Sequence, residues 1–443
     1  MSKIAFLIIG VAALLANIVD AGRILVLVDS AKIKGTHSVF LKSLEDRGHS
    51  VTVKMADDSS LSIIKFGEFL FDHLVILAPT VEEFGGSLNV PEITKFIDGG
   101  GNVFVAGSST IGDAIRDLAA EVGFEFDEEK TEVIDHHHVH PTLDGGLHTT
   151  LVVPGSHLID AELIAGNRAK IAPVIFRGKA LIADTSNRLR LVVLTAPTTA
   201  YSADTTAPLK DHPSAVGKSV ILVGAMQARN NARVVITGSL DLLSNAFIDA
   251  KVGDAQQKSG NADLVTALSK WLLKESGVLR VKSVHHAVVG ETKPPVEYTI
   301  MDNVNYEIDI EEMKDGKWVP FQGKDVQLEF VRIDPFIRAT LRNNNGKLST
   351  TFKVPDVYGV YKFLVDYRRV GYTHLYNVQQ VSVRPLKHTQ YERFSRCAYP
   401  YYVSAFSMFV GLYLFTFVFL YHKDGPALAT AAIGGAKNTP KNK

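Results

Sequence analysis

Residues 23–28, Arg23-Ile24-Leu25-Val26-Leu27-Val28, decide the fold. Five consecutive apolar residues without alternation describe a strand covered on both faces. Such a strand belongs in a parallel sheet flanked by helices, and the residues after it fit that pattern. Val39, Phe40, Leu41 and Leu44 form an apolar stripe for a helix, with Thr36 as its expected cap and Arg47-Gly48 as its end. Val51-Thr52-Val53, Leu74-Val75-Ile76-Leu77-Ala78 and Val103-Phe104-Val105-Ala106 read as further strands. A helix starts at Pro91 and stops at Gly99-Gly100-Gly101, and another covers Thr110 to Val122. Strands are expected again over Ser219–Ala225 and Arg233–Thr237, then a helix over Asn261–Glu275 capped by Asn261. The stretch Leu151–Thr195 reads as strands that complete or extend the same unit. The expectation for residues 22–278 is therefore an α/β domain, a Rossmann-like or amidotransferase-like parallel sheet.

From Leu279 the period changes to two. Tyr306, Ile308 and Ile310 alternate with charged residues, and Asp315-Gly316 marks a hairpin turn into Trp318-Val319. Val326, Leu328 and Phe330 alternate again, and Leu348–Val354, Val360–Tyr367 and Leu375–Val383 follow. Short strands at this spacing without helices predict a β-sandwich over residues 279–390.

Both ends of the chain are apolar. Lys3 precedes an apolar run from Ile4 to Ala16, and small residues at Val19 and Ala21 suit cleavage, so residues 1–21 read as a signal peptide. Residues 398–421 carry no charge and have tyrosines near both ends, which predicts a transmembrane helix. The signal peptide then places residues 22–390 outside the cytosol and leaves residues 422–443 as a cytosolic tail. Along the helix Ser404, Met408, Gly411 and Phe415 recur at a 3–4 spacing, which marks one face as a candidate interface with another membrane helix. Lys441 supplies half of a dilysine retrieval signal; Pro440 and Thr439 stand where its partner would be.

Composition excludes some chemistry. Lys plus Arg and Asp plus Glu both number 47, so the chain is formally neutral and lacks the basic surplus that nucleic acid requires. A single cysteine, Cys397, excludes an internal disulfide framework and a multi-cysteine zinc site. The first strand–helix turn, Val28–Gly35, holds one glycine and lacks the spacing that cradles a dinucleotide. Ser108 and Ser239 stand at strand ends where amidotransferase-like sheets place a nucleophile, although that chemistry needs a thiol there; a cap or turn role suits Ser239 better. His136, His137, His138 and His140 cluster after Asp135, but alternate side chains on extended backbone face opposite ways and no third ligand is in view. A solvated polar loop fits them better than a metal site. No catalytic, cofactor-binding or metal-ligating residue is expected.

Three blocks together resemble a known family. They are Arg23–Asp29, the segment Thr36-His37-Ser38-Val39-Phe40-Leu41-Lys42-Ser43-Leu44-Glu45-Asp46-Arg47-Gly48-His49, and Arg233-Val234-Val235-Ile236-Thr237-Gly238-Ser239-Leu240-Asp241. With the β-rich segment, single span and lysine-bearing tail, their order resembles the 48-kDa subunit of the oligosaccharyltransferase complex, the DDOST family. The resemblance implies an accessory, non-catalytic subunit without a cofactor, needed for assembly of a complex that moves oligosaccharide from dolichyl diphosphate to Asn in Asn-x-Ser/Thr. It implies residence in the endoplasmic reticulum membrane as a single-pass type I protein with a luminal domain. The implied partners are the catalytic subunit, ribophorin-type subunits, small membrane subunits and membrane lipid. The incomplete lysine pair departs from the family pattern. An independent luminal hydrolase and a cell-surface receptor are the competing readings; the absence of an Asn-x-Ser/Thr acceptor weighs against the receptor.

Overall fold

The computed structural model describes residues 22–183, 186–207, 212–253, 257–393 and 395–423. The signal-peptide segment 1–21 and most of the tail, including Lys441, lie outside them. These residues fall into two compact units, one ending at Val383 and one beginning at Arg384.

The first unit is built on a nine-stranded sheet. Its strands are β1 (Arg23–Val28), β2 (Ser50–Met55), β3 (His73–Leu77), β4 (Asn102–Ala106), β5 (Phe124–Phe126), β6 (Leu181–Ala183), β7 (Arg190–Thr195), β8 (Ile221–Gln227) and β9 (Arg233–Thr237). They run in the order β2-β1-β3-β4-β9-β8-β6-β5, with β7 also paired to β8. Only β2, β1, β3, β4 and β9 are parallel; β8 pairs antiparallel to both β9 and β7, and β6 to β5. The expectation of a parallel sheet is thus corrected to a mixed one. The short link Ala228–Ala232, with Ala228 N–H donating to the Ala232 carbonyl at 2.9 Å, turns β8 straight back into β9. A tight turn can join only antiparallel neighbours.

Alternation explains why β1 is apolar throughout. Ile24, Val26 and Val28 enter one apolar cluster with Phe40, Leu41 and Leu44 of helix α1 (Ser38–Asp46) and Leu264, Leu268 and Trp271 of helix α4 (Asn261–Leu272). Leu25 and Leu27 enter the other cluster, with Ile93 and Phe96 of α2 (Val90–Asp98) and Ile115 and Leu118 of α3 (Asp113–Val122). Each face of the strand thus has its own core.

Three helix details differ from expectation. Thr36 closes a short helix, Ile33–Thr36, instead of capping α1; its hydroxyl bonds the Lys32 and Ile33 carbonyls and the His37 ring. Val39 is exposed. Asn261 is the first residue of α4, after Gly260, and spends its amide on Ile175 N, Ile175 O and Leu242 O. Thr36 is held by its own short helix and the next residue, whereas Asn261 is drawn to tertiary partners. The 151–195 stretch is split: Leu151–Val153 and Val174–Phe176 pair antiparallel as their own two-stranded ladder, while β6 and β7 join the main sheet.

Residues 278–384 form two five-stranded sheets. One contains Val278–Val288, Asn303–Lys314, Lys317–Pro320, Arg342–Asn344 and Lys347–Lys353; the other contains Glu297–Thr299, Gln327–Val331, Pro335–Thr340, Gly359–Tyr367 and Leu375–Arg384. Tyr306, Ile308 and Ile310 from the first share an apolar cluster with Phe330, Tyr361 and Phe363 from the second. The hairpin at Asp315-Gly316 forms as read, with left-handed φ values of 47° and 72°. In the second unit, helix α5 (Tyr399–Tyr421) is exposed along its length, with a mean hydropathy of 2.1 for the apolar stretch around it.

Candidate functional site

Open α/β sheets bind ligands beyond the carboxyl ends of their strands. Here that edge carries Asp29 after β1, Thr80 beyond β3, Ser108 and Ser109 after β4, and Ser239 after β9. The Thr80 hydroxyl donates to Asp29 Oδ2 at 3.1 Å. Ser239 is fully buried, and its Oγ accepts the Leu242 N–H at 3.1 Å, capping the helical turn Asp241–Leu243. Next to it the backbone is closed by direct packing. A Cβ on Gly238 would lie 1.9 Å from the Lys179 carbonyl oxygen, and Lys179 N–H donates to the Gly238 carbonyl at 3.0 Å. Ser239 therefore serves as the turn-and-cap residue its context suggests, with its hydroxyl lone pairs turned inward. Ser108 is half-buried at the same edge.

Charged groups surround this edge. Arg177 Nη2 pairs with Asp241 at 2.6 Å. Burial raises the Glu132 carboxyl above the usual range, against the opposing pull of Arg177 and a bond from Ser109. Lys179 is buried, donates to the Glu128 carbonyl at 2.6 Å, and is lowered to about 8 by burial and by Arg116. Burial acts to raise Asp127, but bonds from the Ser202 and Ser214 hydroxyls prevail and hold it below its ordinary value. Sequence reading singled out none of Asp127, Glu132, Arg177 or Lys179. Asp127 and Ser202 are 75 residues apart, and no spacing rule links them.

The histidine cluster is dispersed by its partners. His136 Nε2 bonds the Tyr201 hydroxyl at 2.9 Å, and His138 Nδ1 bonds Asp135 at 2.9 Å. His140 Nδ1 accepts the Leu143 N–H, so its Nε2–H donates to the Lys251 carbonyl at 3.0 Å; that assigns its tautomer. The ring stabilises two loops. Among the described residues no three His, Cys, Asp or Glu side chains converge on a common point. His137, His138 and His140 border a cleft of about 900 Å³ with Leu143, Val152 and Val252.

On α5 the candidate face stands free within its unit. Ser404 and Ser407 return their hydroxyls to the helix, to the Tyr401 and Ser404 carbonyls at 2.9 and 2.8 Å. A Cβ on Gly411 would meet nothing within 4 Å, and Met408 and Phe415 are exposed. Within its own unit, and among the described residues, the face's hydroxyls bond only the helix backbone. Cys397 lies just before the helix, exposed, 2.8 Å from the Ser395 hydroxyl.

Comparison with known proteins gives a consistent picture. The sequence pattern of the OST48 N-terminal domain matches residues 15–275, and that of the OST48 middle domain matches residues 285–423. A Caenorhabditis elegans protein named as the 48 kDa subunit of dolichyl-diphosphooligosaccharide–protein glycosyltransferase is 60% identical over 423 residues, covering 94% of this chain and 95% of its own. Proteins of the same name from Danio rerio and Drosophila melanogaster are 53% and 52% identical, covering 96% and 91% of this chain and 97% and 92% of theirs. Two solved structures, a carbohydrate deacetylase and a ThuA-like protein, reach TM-scores of only 0.31 and 0.25 and carry no argument. Their identities are 10% and 13%; they cover 63% and 56% of this chain and 35% and 86% of their own. By both family patterns and by full-length identity, this chain belongs to the OST48 family of 48 kDa glycosyltransferase subunits.

Proposed function

We propose that the chain is an accessory, non-catalytic subunit of the oligosaccharyltransferase complex, which transfers oligosaccharide from dolichyl diphosphate to Asn of Asn-x-Ser/Thr in nascent chains. The observation that carries this reading is identity of 52–60% to relatives of that name over more than nine-tenths of the chain. The non-catalytic role is supported by the sheet edge: Ser239 is spent on a helical cap and the histidines bond separate partners. In this reading residues 22–278 are a luminal α/β domain and residues 279–390 a luminal β-sandwich. Residues 398–421 span the endoplasmic reticulum membrane once, in type I orientation, and residues 422–443 are cytosolic.

The mechanism is scaffolding. Ser404, Met408, Gly411 and Phe415 would meet another span, where small residues let backbones approach closely. The partners are the catalytic subunit, ribophorin-type subunits and small membrane subunits. Retention follows from assembly, with Lys441 as a minor contributor. The test is purification of the tagged chain from microsomes in mild detergent, with mass spectrometry of its partners and an assay of transfer to an Asn-x-Thr peptide. Recovery of the catalytic subunit with transfer activity, and no transfer by the chain alone, is the expected result. A chain that transfers oligosaccharide by itself, or never recovers partners, overturns the reading.

A further inference from the structure

The two sheets of residues 278–384 have distinguishable ends. At one end the turn between Tyr367 and Leu375 packs on the α/β part: Thr373 N–H donates to the Gly277 carbonyl at 2.8 Å. At the other end four loops meet. Register places Asn303 opposite Lys353, and only Val354–Tyr358 link Lys353 to Gly359 in the second sheet. Gly359 stands opposite Val383, and the Arg332 side chain reaches Gly359 from the turn before Pro335.

This second end is rich in exposed apolar side chains. Val296 is 97% exposed, Ile333 86% and Tyr358 64%, with Val289, Met301 and Val360 also open to solvent. They come from different loops and strands, so chance exposure of one loop does not account for them. Met301 is further held at a left-handed φ of 67°, a costly conformation for a long apolar residue outside a turn glycine's role. A surface of this kind marks an interaction site.

The chain leaves from the same end. Val383 is the last residue of the first unit, and the apolar helix α5 begins at Tyr399. Residues 385–398 form the whole tether, which reaches at most about 50 Å fully extended. A tether of that reach keeps this apolar, loop-built surface within about 50 Å of the start of the membrane-length helix, so the bilayer is the apolar phase to which the chain itself is tied.

We propose that this loop end, formed around Val296, Met301, Ile333 and Tyr358, docks on the lipid interface. The inference rests on the membrane reading of α5 and goes beyond it. Tyrosine and aliphatic side chains enter the headgroup boundary, and Lys293 and Arg332 remain at the water side. Glu291 and Asp334 each stand two residues from one of those cations and offset their charge, so burial of apolar area rather than attraction to anionic lipid supplies the affinity.

The test uses the full chain within its purified complex, reconstituted in phosphatidylcholine nanodiscs. Cys397 is replaced by Ser, and single cysteines at Val296→Cys, Ile333→Cys, Val370→Cys or Leu412→Cys carry an environment-sensitive fluorophore. Val370 lies at the opposite end of the sheets, and Leu412 lies within the helix. Lipids spin-labelled near the headgroup should quench the Val296 and Ile333 probes at least twofold more than the Val370 probe. Iodide should quench those two probes correspondingly less. Probes at Val296 and Ile333 that remain open to iodide and unquenched by lipid overturn the proposal. So does shielding from iodide without lipid quenching, which would mean that a protein subunit covers the patch. An unquenched Leu412 probe overturns the membrane reading itself, and lipid docking with it.

Discussion

The guanidinium of Arg233 donates to the carbonyl of Gly371 at 3.2 Å, across 138 residues of sequence. Arg233 opens β9 and is fully buried, yet the partners of its guanidinium are all backbone carbonyls: those of Trp271, Ser276, Gly277 and Gly371. Its Cζ lies 4.9 Å from the centroid of the Trp271 ring, and the indole N–H donates to the same Gly371 carbonyl at 2.9 Å. One cation thus joins the C-terminal end of α4, where carbonyl dipoles favour positive charge, to a turn of the β-rich segment. Burial lowers its pKa to about 9, which still leaves it charged at neutral pH.

Arg233→Met should therefore destabilise the first unit by about 3 kcal/mol or more, because several buried carbonyls lose a charged donor at once. Arg233→Lys should recover only part of this, since an ammonium cannot reproduce the planar fork. Denaturant unfolding of the full chain in mild detergent measures both. Equal stability of Arg233→Met and the parent would contradict the clamp.

His73 should make stability depend on pH. It is buried, its Nδ1 accepts from the Asn102 amide at 3.0 Å, and burial, aided by His49, lowers its pKa to about 3. The unfolded ring binds its proton near 6.5, so between 6.5 and 3 the unfolded state holds more protons. Stability is then full above pH 6.5 and is lost as pH falls, by about 1.4 kcal/mol per unit. From pH 6.5 to 5 this loss should be roughly 2 kcal/mol greater for the parent than for His73→Gln. Parallel curves for the two proteins over that window would refute it.

Asp144 organises the loop beside the histidines. Its carboxylate accepts the N–H groups of Gly146, His148, Thr149 and Thr150 at 2.8–3.1 Å. Burial acts to raise its pKa, but these four bonds together lower it. Asp144→Ala should cost about 2 kcal/mol and speed amide exchange across residues 144–150. Asp144→Asn, with one acceptor oxygen, should fall between. Unchanged exchange in Asp144→Ala would show that the loop is held by other means.

Gly411→Leu tests the helix face. Among the described residues nothing lies within 4 Å of a side chain added there, so unfolding of the first unit should not change. Close helix approach should be blocked, and recovery of partner subunits should fall severalfold. Undiminished recovery would move the interface to another face of α5.

Much of this architecture is legible in local pattern. β1, β4 and β9 carry uninterrupted apolar runs because both faces are covered, and Tyr306, Ile308 and Ile310 alternate because one face is. The helix α5 has no polar face at all, so its composition alone identifies it. Helix caps are less legible. Thr36 and Asn261 are sound local candidates, but Thr36 closes a short preceding helix and bonds the adjacent His37 ring, and Asn261 is taken by Ile175 and Leu242 from tertiary packing. Antiparallel β8 was equally invisible, since strand direction depends on how the chain returns and not on which residues are apolar.

By itself the sequence determined where strands, helices and the membrane-length segment lie, because burial on one face or two writes a period into the residues. It also brought the family into view, through blocks whose order runs along the whole chain. Tertiary structure alone decided that Arg233 clamps Gly371, that His136, His138 and His140 bond three different partners, and that exposed Val296, Ile333 and Tyr358 share one end. Those relations depend on which distant segments meet, and no local period records that.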